Sequence, residues 1–412
     1  MKILELRDYQ QQIVNDAYSK LIQFNMVYLS MEVRTGKTLT ALSLADKFNN
    51  KNVLFVTKKK AIKSIQNDFE LLNPSYQLTV INYESLHKVT GDFDAFIIDE
   101  AHSIGTYPKP SKRFKDLKLL IKNNPYSKLI LLSGTPSPES YSQLFHQFRL
   151  SDIYSPFKQY KNFYQWSKNY VNVQQRNLGY AKVNDYSDAN KDKIMEVVGD
   201  YFVSFTQSEA GFNQQVNEHI IEVEMLPKTY QLVSKLKKDL VIEGKEEVIL
   251  ADTSVKLQNK IHQLCSGTVK FESGNSMIID DSKAKAIKNK FKGKKIAIFY
   301  IFKEEFNLLR SVFPNFTESP EEFNQSDDKV FLGQIRSSRE GVNLSSADAL
   351  IYYNIEFSAL SYIQGKDRMT SKERSKDNDV YFIFAKGGIE KHIYKRVSNK
   401  LDFTNNYFKK II

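Results

Sequence analysis

A lysine and a hydroxyl side chain stand at the start of a predicted helix, directly after an apolar run. Residues 26–30 read Met-Val-Tyr-Leu-Ser, which is typical of a buried strand, and they are soon followed by Thr35, Gly36, Lys37 and Thr38. Apolar residues at helical spacing come next, so a tight turn should lead from a strand into a helix N-terminus. Backbone N–H groups and the positive end of the helix dipole favour a phosphate there. Lys37 would reach the β- and γ-phosphates of a nucleoside triphosphate, and Thr38 would ligate Mg²⁺.

The loop before this helix departs from the usual phosphate-binding pattern at two positions. Met31 stands where the usual loop opens with glycine, and Arg34 stands where related loops often carry glycine. A chance Gly-Lys-Thr at a helix start would explain the tripeptide taken alone. A second constellation of residues is needed to support a nucleotide site.

Two adjacent acids provide that second constellation. Residues 95–98, Ala-Phe-Ile-Ile, predict a short buried strand of a parallel sheet, and Asp99 and Glu100 follow it directly. Ligands of open α/β sheets bind at the carboxyl ends of the strands. Asp99 can hold Mg²⁺ through water, and Glu100 can orient and deprotonate an attacking water. The alternative is an acidic surface turn, which would not need four apolar residues before it.

Three motifs, in this order, resemble those of the superfamily 2 helicases. They are Gly-Lys-Thr at 36–38, Ile-Ile-Asp-Glu-Ala-His at 97–102 and Ser-Gly-Thr-Pro at 133–136. The chain resembles the branch that includes the chromatin-remodelling translocases, as a compact, phage-type, DEAH-box-containing member. The resemblance covers nearly the whole sequence. It implies an α/β fold with two RecA-like parallel-sheet motor domains in tandem and a helical insertion between them.

The resemblance also implies roles for residues in the first third of the chain. Residues 6–10 resemble an adenine-recognition motif, so Arg7 and Gln10 are expected to bind the nucleotide. The segments 53–60 and 81–86 resemble nucleic-acid contacts, and the expected residues are Lys58, Lys59, Lys60, Asn82 and Tyr83. A solvated loop is the alternative for the lysines. The element that couples hydrolysis to movement is expected to comprise His102, Ser133 and Thr135.

The second half carries weaker motifs of the same family. Residues 294–300 and 303–310 predict a strand and a helix, as at the start of a second motor domain. Residues 340–344 resemble a glycine-containing loop, which assigns Gly341 to nucleotide binding. Residues 364–368 resemble the start of the last motif, so Asp367 and Arg368 are expected at the nucleotide. The family's second arginine is Ser371 here. Either Arg368 acts alone as the arginine finger, the reading we favour, or Arg374 substitutes.

Composition is consistent with a nucleic-acid partner. The 412 residues include 59 basic and 48 acidic side chains, a formal net charge of +11, which favours a polyanion. A single cysteine, Cys265, excludes an internal disulfide and suits a reducing compartment. The N-terminus lacks the apolar core of a signal peptide, and no run reaches membrane-spanning length. The expected location is the cytoplasm, that of the bacterial host if the gene is phage-encoded.

The alternation of strand and helix patterns predicts four segments. They are a first motor domain at 1–150, a helical outgrowth at 151–210, a linker and helical segment at 211–281, and a second motor domain at 282–412. The joint between motor domains is expected within 203–217, around Gly211. Aromatic residues recur at helical spacing from Phe157 to Tyr170. They predict a packing face, with base stacking as the alternative.

These expectations describe an ATP-dependent DNA helicase or translocase. ATP and Mg²⁺ would bind in a cleft between the two motor domains, and hydrolysis would move the protein along DNA by backbone contacts that ignore sequence. Duplex, forked and single-stranded DNA all remain open as substrates. The resemblance suggests phage replication or recombination proteins as partners. One alternative is a DNA-binding ATP switch that loads or recruits a partner without processive unwinding, and another is an RNA helicase.

Overall fold

The chain forms two compact units, Met1–Gly211 and Phe212–Ile412, in the computed structural model. The structure describes residues 5–177, 182–212, 214–244, 246–338, 342–371, 374 and 376–399. The division between units falls after Gly211, within the segment 203–217 where the sequence places the joint. Gly211 has a φ of 82°, a backbone conformation that glycine adopts readily.

The first unit is built on a parallel six-stranded sheet. The strands of this unit are β1 Met26–Met31, β2 Asn52–Thr57, β3 Gln77–Asn82, β4 Ala95–Ile98, β5 Lys128–Leu132, β6 Gln174–Asn177, β7 Lys182–Asp185 and β8 Phe202–Phe205. The sheet has the order β3-β2-β4-β5-β1-β8, whereas β6 and β7 form a separate antiparallel hairpin. The helices are α1 Asp8–Phe24, α2 Lys37–Lys47, α3 Ile62–Leu72, α4 Lys112–Asn123, α5 Leu144–Phe148, α6 Phe163–Tyr170 and α7 Lys191–Val198.

Successive residues of the central strands enter two different hydrophobic cores. Tyr28 and Phe96 pack on one face of the sheet, whereas Val27 and Ile97 pack on the other. Side chains alternate between the faces of a strand, so a sheet buried on both faces requires continuous apolar runs. The continuous runs at 26–29 and 95–98 therefore fold as interior strands. The polar residues that follow each run lie at the same edge of the sheet, where the parallel strands end.

The outgrowth at 151–210 is less helical than the sequence predicts. Besides α6 and α7 it contains the hairpin of β6 and β7, and it ends in β8, which returns to the sheet beside β1. The aromatic residues form a packing face, as predicted, because Phe157, Phe163 and Trp166 are buried in one core. These three rings are therefore not available for base stacking.

The second unit contains another parallel six-stranded sheet. Its strands are β9 Val216–Val223, β10 Val241–Glu243, β11 Val248–Leu250, β12 Thr268–Lys270, β13 Ser276–Ile278, β14 Ile296–Tyr300, β15 Phe316–Thr317, β16 Val330–Gln334, β17 Ala349–Tyr352 and β18 Asn378–Ala385. The sheet order is β15-β16-β14-β17-β18-β9. The helices are α8 Pro227–Asp239, α9 Ser254–Cys265, α10 Ser282–Lys290, α11 Lys303–Val312, α12 Pro320–Gln325, α13 Ile335–Ser338, α14 Ala359–Lys366 and α15 Glu390–Ser398.

The segment 211–281 is part of this second unit and is more than a linker. Its strand β9 pairs along its full length with β18. The helical stretch expected up to Cys265 is interrupted by the hairpin of β10 and β11, whose residues are rich in valine and isoleucine. β-Branched residues favour strands over helices, which explains the interruption. Cys265 packs at the end of α9, where burial raises the pKa of its thiol to about 12.

The predicted fold class is confirmed: the chain is an α/β protein with two parallel sheets in tandem. In the first unit the strands β1, β2, β4 and β5, which lead to candidate motifs, are interior strands of the sheet, whereas β3, which leads to the motif at 81–86, is an edge strand. Among the described residues, no helix is both long and apolar enough to cross a membrane.

Candidate functional site

The loop between β1 and α2 is folded around the carbonyl group of Glu32. The Lys37 ammonium donates to the Glu32 oxygen at 3.0 Å, and the Thr35 hydroxyl donates to the same oxygen at 2.7 Å. Lys37 is the first residue of α2, and Thr38, the second, is half-buried. The loop thus presents the helix N-terminus and the Lys37 side chain together, as a phosphate site requires.

Two residues of this loop have left-handed backbone. Gly36 has a φ of 86°, and a Cβ atom there would lie 2.1 Å from Nε2 of Gln10, so another residue would strain the backbone and displace the Gln10 side chain. Arg34 has a φ of 64° although it is not glycine. A side chain is strained in this region of φ, so contacts elsewhere must hold Arg34 in place.

Of the two predicted adenine-recognition residues, Gln10 lies against the same loop and Arg7 is exposed. Gln10 is buried; its Oε1 accepts from the Arg7 N–H at 3.0 Å, and its Nε2 donates to the Gly36 oxygen at 3.4 Å. The Tyr9 hydroxyl donates to the Thr35 oxygen at 3.2 Å. Both ends of the Gln10 amide therefore bind protein groups, so the side chain supports the loop and would have to exchange a partner to read a base.

Asp99 stands at the end of β4, beside β2. Its carboxylate accepts from the Thr57 hydroxyl at 2.7 Å. Burial, and then the neighbouring Glu100 carboxylate, raise the pKa of Asp99 to about 6, while Thr57, Lys37 and Lys58 oppose the shift. Lys37 follows β1 and Asp99 follows β4, and these parallel strands end at the same edge of the sheet, so the phosphate-loop lysine and the buried acid lie on one side of the unit.

Glu100, His102 and Ser133 form a chain of polar contacts next to Asp99. The His102 Nδ1 lies 3.2 Å from the Glu100 Oε2 and 3.0 Å from the Ser133 Oγ. A ring nitrogen makes one good hydrogen bond at a time, donating if it carries the proton and accepting if it does not. His102 can therefore donate to Glu100 or accept from Ser133, so a change of partner would link the two residues.

The Ser-Gly-Thr-Pro segment packs against the loop that precedes Lys37. The Thr135 N–H donates to the Ser133 Oγ at 3.0 Å, and a Cβ on Gly134 would lie 3.2 Å from the Met31 oxygen. The Thr135 hydroxyl is buried and has no hydrogen-bond partner among the described residues. The strands β4, β5 and β1 are neighbours in the sheet, so their carboxyl ends assemble all these groups at one edge.

The candidate nucleic-acid contacts differ in exposure. Lys59 and Lys60 are exposed in a short 3₁₀ turn, and Lys58, at its start, and Asn82, at the end of β3, are half-buried. Tyr83 is a correction to the sequence-based expectation. It is 1 % exposed, and its hydroxyl donates to the backbone oxygen of Asp99, so its ring cannot contact a nucleic acid in this structure.

In the second unit, Arg368 follows α14 and is 5 % exposed. Its Nε donates to the Gln364 oxygen at 2.8 Å, and its own backbone oxygen accepts from the Leu344 N–H at 2.9 Å. The neighbouring Asp367 is half-buried. The predicted nucleotide-binding Gly341 lies outside the described residues.

Arg374 is occupied by structural hydrogen bonds. Its guanidinium donates to the backbone oxygens of Ser345 at 2.9 Å, Ala347 at 2.7 Å, Lys376 at 3.1 Å and Asp377 at 3.1 Å. The residue is 6 % exposed. A guanidinium has five N–H donors in a fixed fork, and these four bonds use most of them. Arg374 is therefore a poor substitute for the arginine missing at Ser371.

Comparisons with known proteins agree with this site. The family model for the type III restriction enzyme res subunit matches residues 3–84. The ISWI chromatin-remodeling complex ATPase ISW1 of Saccharomyces cerevisiae is 20% identical over 380 residues, covering 81% of this chain and 31% of that protein. ISW2 of the same yeast is 22% identical over 375 residues with the same coverage. This chain is therefore similar to the ISWI chromatin-remodeling ATPases of yeast over most of its length.

Two further matches cover a shorter segment or have a lower sequence identity. The human chromatin-remodeling ATPase INO80 is 34% identical over 77 residues, which is 19% of this chain and 5% of that protein. A solved Sulfolobus solfataricus SWI2/SNF2 ATPase core in complex with dsDNA is 16% identical, covers 100% of this chain and 94% of that chain, and has a TM-score of 0.44. The chain spans about a third of the length of the ISWI relatives from yeast that it matches.

Thr38 and Asp99 are the candidate metal ligands at this sheet edge. No group of three or more histidine, cysteine or acidic side chains able to hold a metal is found in the part of the chain that the structure describes. Thr38 and Asp99 would supply two oxygen ligands, the donor type that Mg²⁺ prefers. A nucleotide's phosphates and water would complete the coordination of such an ion.

Sequence reasoning missed three residues that shape the site. Thr57 donates to the Asp99 carboxylate, and the Glu32 oxygen accepts from Lys37 in the phosphate loop. Gln207 binds Val33 of the same loop, although the two residues are 174 positions apart in the sequence. Thr57 ends a predicted strand and could have been found from that position. Gln207 has no such local signal, because its role depends on β8 lying beside β1.

Proposed function

We propose that this chain is a DNA-dependent ATPase that couples ATP hydrolysis to movement along DNA. The observation that carries the proposal is the single sheet edge that holds Lys37, Asp99, Glu100 and the His102–Ser133 pair. Phosphate binding, metal binding, water activation and coupling each have a residue of suitable chemistry there. The similarity to chromatin-remodelling ATPases supports the same activity.

In the proposed reaction, Lys37 binds the β- and γ-phosphates of ATP and leaves its contact with the Glu32 oxygen to do so. Glu100 orients the attacking water and accepts its proton. Mg²⁺, held by Thr38 and Asp99, would neutralise phosphate charge when bound. Arg368 of the second unit is proposed to stabilise the charge that develops on the γ-phosphate.

The proposed coupling runs through His102. If Glu100 turns towards the attacking water, it withdraws from the His102 Nδ1 at 3.2 Å, and His102 is then available to Ser133 at 3.0 Å. Ser133 binds the Thr135 N–H, so this exchange reaches the Ser-Gly-Thr-Pro segment. We expect that segment to transmit the nucleotide state to the DNA track and to leave the chemistry itself to Glu100.

The proposed DNA contacts are electrostatic and independent of sequence. Lys59 and Lys60 are exposed beside Lys58, and the chain carries a formal net charge of +11. Phosphate contacts of this type position a protein on DNA without reading bases. A role in phage replication or recombination, in the cytoplasm of a bacterial host, is the proposed setting.

The alternative is an ATP switch that binds DNA and loads a partner without processive unwinding. Two observations favour it: Met31 replaces the first glycine of the loop, and Ser371 leaves no second arginine where the family carries one. Arg374 is engaged with four backbone oxygens and does not fill that gap. Slow turnover would follow from both features.

The test is an ATPase assay on the full chain with single-stranded DNA, duplex DNA, forked DNA and RNA as separate stimulants. We expect DNA to stimulate turnover several-fold and RNA to do so less. Lys37→Ala should lose nucleotide binding, whereas Glu100→Gln should bind ATP and lose turnover. A wild-type rate in Glu100→Gln would disprove the assignment of the base.

Strand displacement on a fork separates the two candidate functions. A motor displaces a strand only while it hydrolyses ATP, and a non-hydrolysable analogue supports binding alone. DNA-stimulated hydrolysis without displacement or sliding would favour the switch. The nucleotide site would then stand, and the proposed movement would not.

A further inference from the structure

The chain crosses back over the phosphate loop after β8, in a segment we call the 205–207 strap. The Phe205 oxygen accepts from the Glu32 N–H at 3.0 Å, and the Gln207 N–H donates to the Glu32 carboxylate at 2.7 Å. The Gln207 side-chain amide donates to the Val33 oxygen at 3.0 Å. Three hydrogen bonds thus tie residues 32–33 to a segment about 170 positions away in the sequence.

The strap also contacts the first turn of α1. The Phe205 ring stacks on Tyr9, with ring centroids 4.8 Å apart and an angle of 11° between the planes. The Tyr9 hydroxyl donates to the Thr35 oxygen at 3.2 Å. The phosphate loop is therefore held by hydrogen bonds at two points. Gln207 binds residues 32–33, and the Tyr9 hydroxyl binds the Thr35 oxygen.

The conformation of the phosphate loop depends on contacts with residues outside the loop. Met31 stands in place of the first glycine, and Arg34 has a φ of 64°, which is unfavourable for any side chain. The Glu32 oxygen receives both the Thr35 hydroxyl and the Lys37 ammonium. Rotation of the peptide group between Glu32 and Val33 would move the Glu32 oxygen and break its hydrogen bonds with Thr35 and Lys37. Gln207 binds both Glu32 and Val33, and therefore opposes this rotation.

We infer that Gln207 is a positioning residue of the phosphate loop. Its N–H and its amide fix residues 32 and 33, so that the strained Arg34 and the helix start at Lys37 keep the shape that binds a triphosphate. The inference rests on the proposed ATPase function and adds a residue to its site. The competing role is purely structural, in which Gln207 only fastens β8 to the unit.

The experiment compares Gln207→Ala and Gln207→Glu with wild type in the full chain. Gln207→Glu keeps the size of the side chain, but it replaces the amide donor by a carboxylate that repels the Val33 oxygen and the Glu32 carboxylate. Ser208→Ala is the matched control, because Ser208 is the exposed neighbour of Gln207. Each protein is assayed for the KM of ATP, for kcat with saturating DNA, and for its melting temperature without nucleotide.

We expect Gln207→Ala to raise the KM of ATP by about 3- to 10-fold, the effect of one lost hydrogen bond. Gln207→Glu should raise it further, and kcat should change less than about 2-fold in both. Glu32→Ala removes the carboxylate that accepts from the Gln207 N–H, and Gln207→Ala removes the side-chain bond to the Val33 oxygen. Because both bonds hold the same two-residue segment, the double variant should cost less than the product of the two single effects. Ser208→Ala should match wild type in all three measurements.

An unchanged KM in Gln207→Ala and Gln207→Glu, with a lowered melting temperature, would overturn the inference and assign Gln207 a structural role. Lys37→Ala separates this result from failure of the proposed function. If Lys37→Ala loses ATP binding while the Gln207 variants do not, only the strap inference fails. If wild type itself binds no ATP, the proposed function fails, and the inference fails with it.

Discussion

Arg374 provides the sharpest test of how the second unit is held together. Its four hydrogen bonds join the segment 345–347, before β17, to residues 376–377, before β18. Replacement by alanine leaves four carbonyl oxygens without this donor. We expect Arg374→Ala to act on folding and to leave the chemical step of the folded protein nearly unchanged.

The magnitude follows from the bonds lost. A hydrogen bond from a charged donor contributes about 1.5–3 kcal/mol, and bonds from one side chain do not add fully because they share its fixation and water replaces some of them. We therefore expect the free energy of unfolding to fall by about 3–5 kcal/mol. In a unit of about 200 residues, each kcal/mol shifts the melting temperature by about 2–4 °C, so Arg374→Ala should melt about 6–20 °C lower.

The assay is thermal unfolding of the full chain followed by circular dichroism, with the transition of the second unit resolved. Arg374→Lys should recover less than half of the loss, because one ammonium cannot reach four separate oxygens. Arg310→Ala is the matched control, since Arg310 is an exposed arginine on α11. It should melt within about 1 °C of wild type.

One result would refute this reasoning directly. Arg374→Ala could melt with wild type and lose most of its ATPase activity. The guanidinium would then be a catalytic group that had moved from the position of Ser371, and its four backbone contacts would be of little energetic value. Arg368 would lose its place as the proposed arginine finger.

Three further predictions concern the candidate site. Burial raises the pKa of Asp99 from 3.8 to about 6, so its contribution to folding is fully present below about pH 4 and is lost as the pH rises through 6. Asp99→Asn should therefore gain stability over wild type between pH 4 and pH 7, as measured by urea unfolding without divalent metal. Replacing Lys58–Lys60 by glutamine should flatten the slope of log affinity for DNA against log salt by roughly 0.7–0.9 per lost contact, and a matched triple change on α8 should not. Arg368→Ala should lower kcat by about 10³-fold or more while DNA binding persists.

The central strands and the edge that carries the site were predictable from local patterns. The apolar runs at 26–29, 95–98 and 129–132 are fully buried strands, and their polar continuations meet because neighbouring parallel strands end at one edge. A parallel sheet alone places the residues that follow both runs at one edge, whereas the proximity of Lys37 and Asp99 also requires that only β5 lie between β1 and β4. Local sequence was therefore sufficient to predict the edge, but not the distance between the two residues.

The remaining features depend on which segments become neighbours. Thr57 meets Asp99 because β2 lies beside β4, and Gln207 meets Val33 because β8 lies beside β1. Local patterns do not encode strand order. Tyr83 was misjudged for a related reason: its 3₁₀ turn folds the ring into the core under Arg113, whose guanidinium lies 5.3 Å from the ring centroid.

The pairing of β9 with β18 has a consequence for how the second unit is made. β9 is the first strand of this unit to leave the ribosome, yet its partner in the sheet is the last strand of the described residues, 162 positions later. Until residue 385 is synthesised, β9 has unpaired backbone groups beside Ile220 and Ile221, which makes it an open edge prone to non-native pairing. Loops of this length close slowly, and domains with such distant contacts fold late. A nascent chain that stops before β18 should therefore aggregate through β9, and the second unit should become protease-resistant only after its last strand has been added.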